Sequence, residues 1–542
     1  MTNKVQNPKS EPFRIREWTS CFEIIKRISW AGWILLAIII VGIFLRTWHH
    51  HDWLRFNADQ GRDAQIVSDV IDGKENLPLL GPKAGGTEFR LGPAFYWFEI
   101  AAAKIFGNAP DKMAFPDLAT GILCIPLLFL FLRKYFEKNL SLSLTAIFAV
   151  SAYAVRYARF GWNPNSSPFW AILFLYALCE IFSEEKNRKF WWSIAAGTAI
   201  GIGIQLHTTL LAILPVTAIV VFGYFSFKNR KFLKYFLVAL LAALLLNVPQ
   251  LISEHQTDWK NTSYFLRGMK IKNKSESSFS KNAVQSASCW IQGNVDIISG
   301  YEISDTCEFK ASRDVKEAVV FFFGLIFVFG GMILTLRYFF KEKYVDKKHF
   351  LGIILVFTGI TYIIFFKFAF ELSVRFYLPI VFLPFVLLGF WAKFVGEKLK
   401  IRQDIILLIA AVLLIFSNLF FVQKYFSALA NYGNLGGGGV NVMILGEAEI
   451  FSQFIVQNSG GEKEAYIGGD GQFLFKGYKS IRYLAEKSGV RLLLLEKKSQ
   501  MPSRYFHVVN QRKKAEMLSD SSINILSSKD FGKFAILFVQ KI

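Results

Sequence analysis

The chain has 542 residues, 53% of them hydrophobic, 16% aromatic and 19% charged, with a mean hydropathy of +0.35. So few charges cannot coat a soluble protein of this length, and a polytopic membrane protein is expected. The net charge of +21 fits basic loops held at an anionic leaflet, and with no DNA- or RNA-binding motif present, nucleic acid is not expected as a partner.

Basic residues from Lys4 to Arg27 precede the first apolar run, and no small-residue cleavage pattern follows it. Residues 1–28 therefore read as a cytoplasmic N-terminus and Trp30 to Leu45 as a retained first span. Further windows long enough to cross hydrocarbon lie near 114–132, 140–157, 168–182, 191–206, 209–225, 233–248, 319–336, 351–368, 376–394 and 405–422. The count is about eleven. Every even-numbered span ends in a basic loop, at Arg133-Lys134, 186–189, 228–231, 341–348 and 393–402, while the loops 205–208 and 370–375 carry almost no positive charge. The positive-inside rule then places the N-terminus in the cytoplasm and the C-terminal part outside the plasma membrane.

Residues 92–107 do not fit as a span: they carry Glu99 and Lys104, and a crossing there would invert the basic-loop pattern. Pro93 suits a first helical turn, and Phe95, Tyr96 and Trp97 suit the headgroup zone, so a helix on the outer surface is expected. In 64–71, Ala64, Val67, Val70 and Ile71 form one apolar stripe of a similar helix. The membrane domain covers 29–425, with outer loops at 46–113 and 252–314. The outer tail, 426–542, predicts strands at 441–445, 465–468, 491–495 and 534–539 and helices at 447–457 and 478–487, a small α/β domain. Gly436–Gly439 reads as a flexible joint, since it lacks the Lys-Ser/Thr of a phosphate loop. Cys21, Cys124 and Cys179 fall in cytoplasm or membrane, whereas Cys289 and Cys307 share the second outer loop, as a disulfide or as two free thiols.

The first outer loop carries the cluster Asp59-Gln-Gly-Arg-Asp63. One reading is helix capping by Asn57 or Asp59, although Arg62 rather than Glu or Gln stands three after Asp59. The other is a general base at the membrane face, oriented by its arginine. Arg159 and Arg375 suit either snorkelling or an anionic phosphate. His207 is an interfacial hydrogen-bonder or a ligand, and Asn163 and Asn165 are turn formers around Pro164 or substrate contacts. The run His49-His50-His51 reads as solvated interfacial histidines rather than a metal site. No metal-ligand spacing is present, and no cofactor is expected.

Asp59 to Asp63, Leu79-Leu-Gly-Pro82, Gly92-Pro-Ala-Phe-Tyr96, Arg159-Phe-Gly-Trp-Asn-Pro-Asn165, Gln205-Leu-His207 and Arg375-Phe-Tyr-Leu-Pro379 together resemble glycosyltransferase family 39, the dolichyl-phosphate-mannose protein mannosyltransferase-like enzymes of GT-C fold. Lipid A aminoarabinose transferases are similar. The resemblance spans about residues 28 to 400. It implies an all-α GT-C-like membrane domain and inverting sugar transfer, from a polyprenyl-phosphate donor in the bilayer to a protein, lipid or glycan acceptor at the outer face. It implies Asp59 as the general base, with Arg62, Asp63, Arg90, Arg159, Asn163, Asn165, His207 and Arg375 about the substrates. The family's usual motif is Asp-Glu followed by a tyrosine; Gln60 replaces the Glu here, and Asn163 and Asn165 stand where the next outer loop often has a second acid. That argues against a two-carboxylate site with a bridging metal. The alternatives are a transporter or flippase of lipid-linked sugars, which tends to carry midplane charges and repeated halves, and a non-catalytic assembly or sensor protein.

Overall fold

The computed structural model describes residues 29–185, 188–272, 278–303, 307, 315–431, 442–495, 502–532 and 534–542. Helix α1 (Trp30–Thr47) is followed by a surface pair, α2 (Ala58–Ile71) and α3 (Ala94–Phe106), then by α4 (Pro110–Met113) and α5 (Phe115–Leu132). The next windows fold as α6 (Lys138–Val150), α7 (Ala152–Tyr157), α8 (Ser167–Ile181), α9 (Lys189–Leu206), α10 (Thr208–Lys228) and α11 (Leu233–Leu246). The second outer loop contributes α12 (Val248–Gln256), α13 (Lys260–Lys272) and α14 (Phe279–Ser299). The last membrane helices are α15 (Val315–Leu325), α16 (Gly331–Lys341), α17 (Val345–Lys367), α18 (Leu383–Leu399) and α19 (Gln403–Ala430), with a 3-10 segment, Val374–Ile380, leading into α18.

Each expected window is helical, but length and apolar character divide them. Among the described residues six helices suffice to cross a membrane alone: Trp30–Thr47, Pro110–Leu132, Thr208–Lys228, Val315–Lys341, Val345–Lys367 and Gln403–Ala430. Two bent pairs, Arg230–Leu246 with Val248–Gln256 at 55° and Val374–Ile380 with Leu383–Leu399 at 68°, bring the number to eight. The third window is short because it breaks at Ser151, whose Oγ donates to the Ile297 carbonyl at 2.7 Å. A face of exposed Ile405, Leu408, Ile409, Leu413 and Phe416 on α19 is what a lipid-facing helix presents.

The C-terminal part is an α/β unit of α20 (Leu445–Asn458), β1 (Glu464–Gly469), α21 (Gly471–Lys487), β2 (Arg491–Leu494), β3 (Arg504–Asn510), α22 (Lys514–Leu518), β4 (Ile523–Phe531) and β5 (Phe534–Lys541). Its sheet has the order β2-β1-β3-β5-β4, parallel across β2-β1-β3 and antiparallel beyond. Phe451, Phe473, Phe531 and Phe534 pack between the helices and the sheet. Three of the four expected strands and both helices are present. The expected strand at 441–445 is not one: within its described part, Ile444 makes an isolated bridge to Arg55. Strands β3 and β4 are additional, and α19 runs past the expected boundary at 425 to Ala430. The glycine run 436–439 lies outside the described residues. Cys289 and Cys307 are joined by a disulfide.

The outer unit is bound to the first loop by backbone. The Phe56 N–H donates to the Met443 carbonyl at 2.8 Å, Leu445 N–H to the Leu54 carbonyl at 2.8 Å and Gly446 N–H to the Asp52 carbonyl at 3.1 Å. Gly61 on α2 lets α21 come close: a Cβ there would stand 2.6 Å from the Ser480 nitrogen. About two turns further along α2, the Ser68 and Tyr483 hydroxyls meet at 2.9 Å.

Candidate active site

Asn57 is the N-cap of α2, and its extended backbone follows the bridge that Arg55 makes with Ile444. The Asn57 N–H donates to Gln60 Oε1 at 3.1 Å, and Asn57 Oδ1 accepts the Met443 N–H at 2.8 Å. Gln60, three after Asn57, thus supplies the reciprocal half of a capping box. This corrects the sequence reading, which tested the box from Asp59 and found Arg62 in the wrong place. With the cap made by Asn57 and Gln60, Asp59 is not needed for it. Its side chain is 57% exposed and accepts from Arg62 Nη1 at 3.1 Å.

Asp63, one turn further along the same face, is buried. It is 1% exposed and accepts hydrogen bonds from Arg62 Nε at 2.9 Å and Nη2 at 3.0 Å and from the Tyr96 hydroxyl at 2.8 Å. Burial raises its pKa to about 6 although Arg62 and Tyr96 pull it down. Sequence reasoning grouped Asp63 with substrate contacts; its burial leaves no face for a substrate. Behind it, Glu99 is 5% exposed and its Oε2 has no hydrogen-bond partner. Burial first, then the charges of Asp63 and Asp117, push its pKa well above the carboxylate range, so it holds its proton.

The cations gather at Trp162. The Arg375 guanidinium lies over the Trp162 ring at 5.6 Å and the Phe376 ring at 5.4 Å. From the other side of the chain, Arg55 lies over Trp162 at 5.9 Å and Phe160 at 4.9 Å. The Arg55 pKa is lowered, chiefly by burial and partly by Arg375, while Tyr157, Tyr425 and Asp59 raise it; Arg55, Arg375 and Asp59 therefore share one field. Arg55 Nε is buried without a partner. The His207 ring is 5.5 Å from Phe376, with Nδ1 2.7 Å from the Thr209 hydroxyl. Asn163 Nδ2 donates to the Leu206 carbonyl at 2.5 Å and ties the Trp162 loop to the end of α9, while Asn165 Nδ2 donates to Phe160 at 2.7 Å. Both asparagines lie in the turn around Pro164.

One expected contact, Arg159, is placed elsewhere. Arg159 is 2% exposed and donates to three carbonyls at the end of α1, Leu45 and Arg46 at 3.0 Å each and Trp48 at 2.6 Å. It satisfies helix-end acceptors that would otherwise be orphaned, and neither snorkels nor faces an open site. The Arg90 backbone N–H donates to Asn261 Oδ1 at 2.8 Å and its carbonyl accepts from Asn261 Nδ2 at 3.0 Å, which joins the first outer loop to α13. Arg55 was missed; the signal was its place four residues before Asp59 on an extended approach. His50 is half-buried, and desolvation together with Arg159 lowers its pKa to about 4. His51 spans Asp111 at 3.3 Å and Glu449 at 3.4 Å.

The arrangement is one exposed carboxylate beside guanidinium groups stacked on an indole. That donor set suits an anion next to a base, because charge-assisted guanidinium hydrogen bonds match phosphate oxygens. It does not suit a metal bridged by two carboxylates: both oxygens of Asp63 are engaged by Arg62.

Comparison with known proteins agrees with the resemblance read in the motifs. Residues 91–252 match the family "Dolichyl-phosphate-mannose-protein mannosyltransferase". Undecaprenyl phosphate-alpha-4-amino-4-deoxy-L-arabinose arabinosyl transferase of Pseudomonas aeruginosa (strain LESB58) is 24% identical over 226 residues, 41% of this chain and 40% of that protein. Arabinosyl transferase 2 of the same description from Proteus mirabilis is 24% identical over 251 residues, 44% of this chain and 43% of that protein. The matches span about two-fifths of these relatives' length. Among solved structures, apo ArnT from Cupriavidus metallidurans aligns at a TM-score of 0.51 and 11% identity, over 96% of this chain and 98% of that one, so the two share a fold. The chain is an integral membrane protein with the fold of that structure.

Proposed function

We propose that this protein is a glycosyltransferase that moves a sugar from a polyprenyl-phosphate donor to an acceptor at the outer face of the membrane, with inversion and with Asp59 as general base. The observation that carries the reading is the gathering of Arg55 and Arg375 over Trp162, with the exposed Asp59 acting electrostatically on Arg55. A lipid phosphate at headgroup depth presents its oxygens to the two guanidinium groups. The acceptor's oxygen or nitrogen bonds to the anomeric carbon as the bond from that carbon to the phosphate oxygen breaks. The electron pair stays on the phosphate, where the cations stabilise the growing charge, and the acceptor's proton passes to Asp59. His207, beside Phe376, and Asn163, at the end of α9, border the same space.

The relatives named above act on an undecaprenyl-phosphate amino-pentose, and a pentose of that kind is the donor sugar we propose. The membrane domain, 29–425, would hold the donor, and the unit from 426 to 542 would complete the site from outside. The N-terminus lies in the cytoplasm in this reading, and the membrane is the plasma membrane. The test is transfer from labelled undecaprenyl-phosphate sugars by protein in liposomes. Asp59→Asn is expected to reduce turnover by about 10²–10⁴-fold. An Asp59→Asn variant as active as the parent removes the base assignment, and movement of label across the bilayer without transfer favours a flippase.

A further inference from the structure

Arg62 serves two carboxylates unequally. Its Nε and Nη2 meet Asp63 as a fork, at 2.9 and 3.0 Å, while only Nη1 reaches Asp59, at 3.1 Å. The Tyr96 hydroxyl pins Asp63 from α3 at 2.8 Å. A fork is the strongest contact a guanidinium makes with a carboxylate. Turned on Asp59, it would occupy both oxygens and hold the charged form, making a poorer base. Instead Asp63 neutralises Arg62, and Asp59 keeps a free oxygen next to a pair with no net charge.

We propose that Asp63, pinned by Tyr96, is a positioning residue that claims the fork of Arg62 and so keeps one oxygen of Asp59 accessible. This rests on the reading of Asp59 as the base. It also gives a physical sense to the departure from the family motif, because Asp63 stands in the stretch where a tyrosine is usual and Tyr96 brings a phenol to it from another helix. The other charges around Asp59 do not depend on Asp63. Arg55 comes from the preceding loop with Arg375 beyond it. Helix α21 lays its Lys479–Ser480 backbone against Gly61, with Lys479 exposed, and carries Lys476 on the same helix. Glu99 is buried behind Asp63.

The test reads Asp59 directly and needs no substrate. Full-length protein is treated with a water-soluble carbodiimide and glycine ethyl ester across pH, and labelling of the Asp59 peptide is followed by mass spectrometry. The reagent activates protonated carboxyls, so the midpoint reports proton affinity. Asp63→Asn leaves Arg62 uncompensated and is expected to lower the Asp59 midpoint by about one pH unit, roughly tenfold in affinity. Arg62→Gln is expected to raise it, and in that background adding Asp63→Asn is expected to move it no further. Tyr96→Phe, the milder change, is expected to shift it the same way by less, which covers an Asp63→Asn protein that does not fold. An unmoved midpoint in Asp63→Asn, or an equal fall with Arg62 already replaced, overturns the proposal. Failure of the transferase reading shows elsewhere, as an Asp59→Asn variant that transfers sugar normally.

Discussion

Gly61→Ala tests whether the outer α/β unit is part of the site's scaffold. The new methyl would lie 2.6–2.7 Å from the Ser480 N and Cα and the Lys479 carbonyl carbon, all main-chain atoms that cannot rotate away. Helix α21 must withdraw by about 0.8 Å to restore ordinary contact. Overpacking of this kind costs about 1–3 kcal/mol, and losing the Ser68–Tyr483 bond adds about 1. Alanine returns about 1 kcal/mol through its helix propensity, so the contact loss wins. The amides of Phe56 and Leu445, which bond across the seam to Met443 and Leu54, should then exchange about 10–100 times faster with deuterium, with the membrane helices unaffected. Gly223→Ala in α10, where a Cβ meets nothing within 4 Å, is the control and should leave both amides unchanged. Exchange at the seam equal to or slower than the parent's would mean that propensity dominates and that α21 does not press on α2.

Arg159→Ala should lower stability by about 3–5 kcal/mol, since it removes a buried cation and strands three carbonyls; Arg159→Lys should not rescue it, because one ammonium cannot span Leu45, Arg46 and Trp48. Denaturant melts in detergent check both variants. Reduction, or Cys289→Ser, opens a cross-link between residues 18 apart and should destabilise the second outer loop by about 3 kcal/mol, read as faster proteolysis around α14. Burial opposes a charge on His51, but Glu449 and Asp111 outweigh it and raise its pKa above 6.5. Its clasp between the first loop and α20 is then fully present below about pH 6.5 and lost as pH rises through the raised value. Exchange in α20 should accelerate over that interval, and His51→Gln should abolish the dependence.

Much of the membrane domain was legible because lipid makes apolar windows and basic loops periodic along the chain. The helices at 58–71 and 94–106 also announced themselves, through an apolar stripe and through Pro93 with its aromatic neighbours. The crossing number was harder to read. A break such as that at Ser151 depends on a partner, Ile297, that only the fold brings near. Strand β3 was missed although Tyr505, Phe506, Val508 and Val509 are buried, because both faces are covered and the alternation that marks a half-exposed strand is absent. In the site, charge type was visible but burial was not. Arg159 and Arg375 look alike in sequence, yet one caps a helix end and the other lies open on an indole. Asp59 and Asp63, four apart, share one face of α2 and one arginine, and only packing of α3 and Tyr96 decides which of them is sealed.

The most direct measurement is the affinity of the full-length protein for undecaprenyl phosphate, titrated in parent, Arg55→Ala and Arg375→Ala. The proposed phosphate site predicts weakening of about tenfold or more in each variant, as loss of a charge-assisted hydrogen bond costs about 1.5–3 kcal/mol. Affinity unchanged in both variants would contradict it.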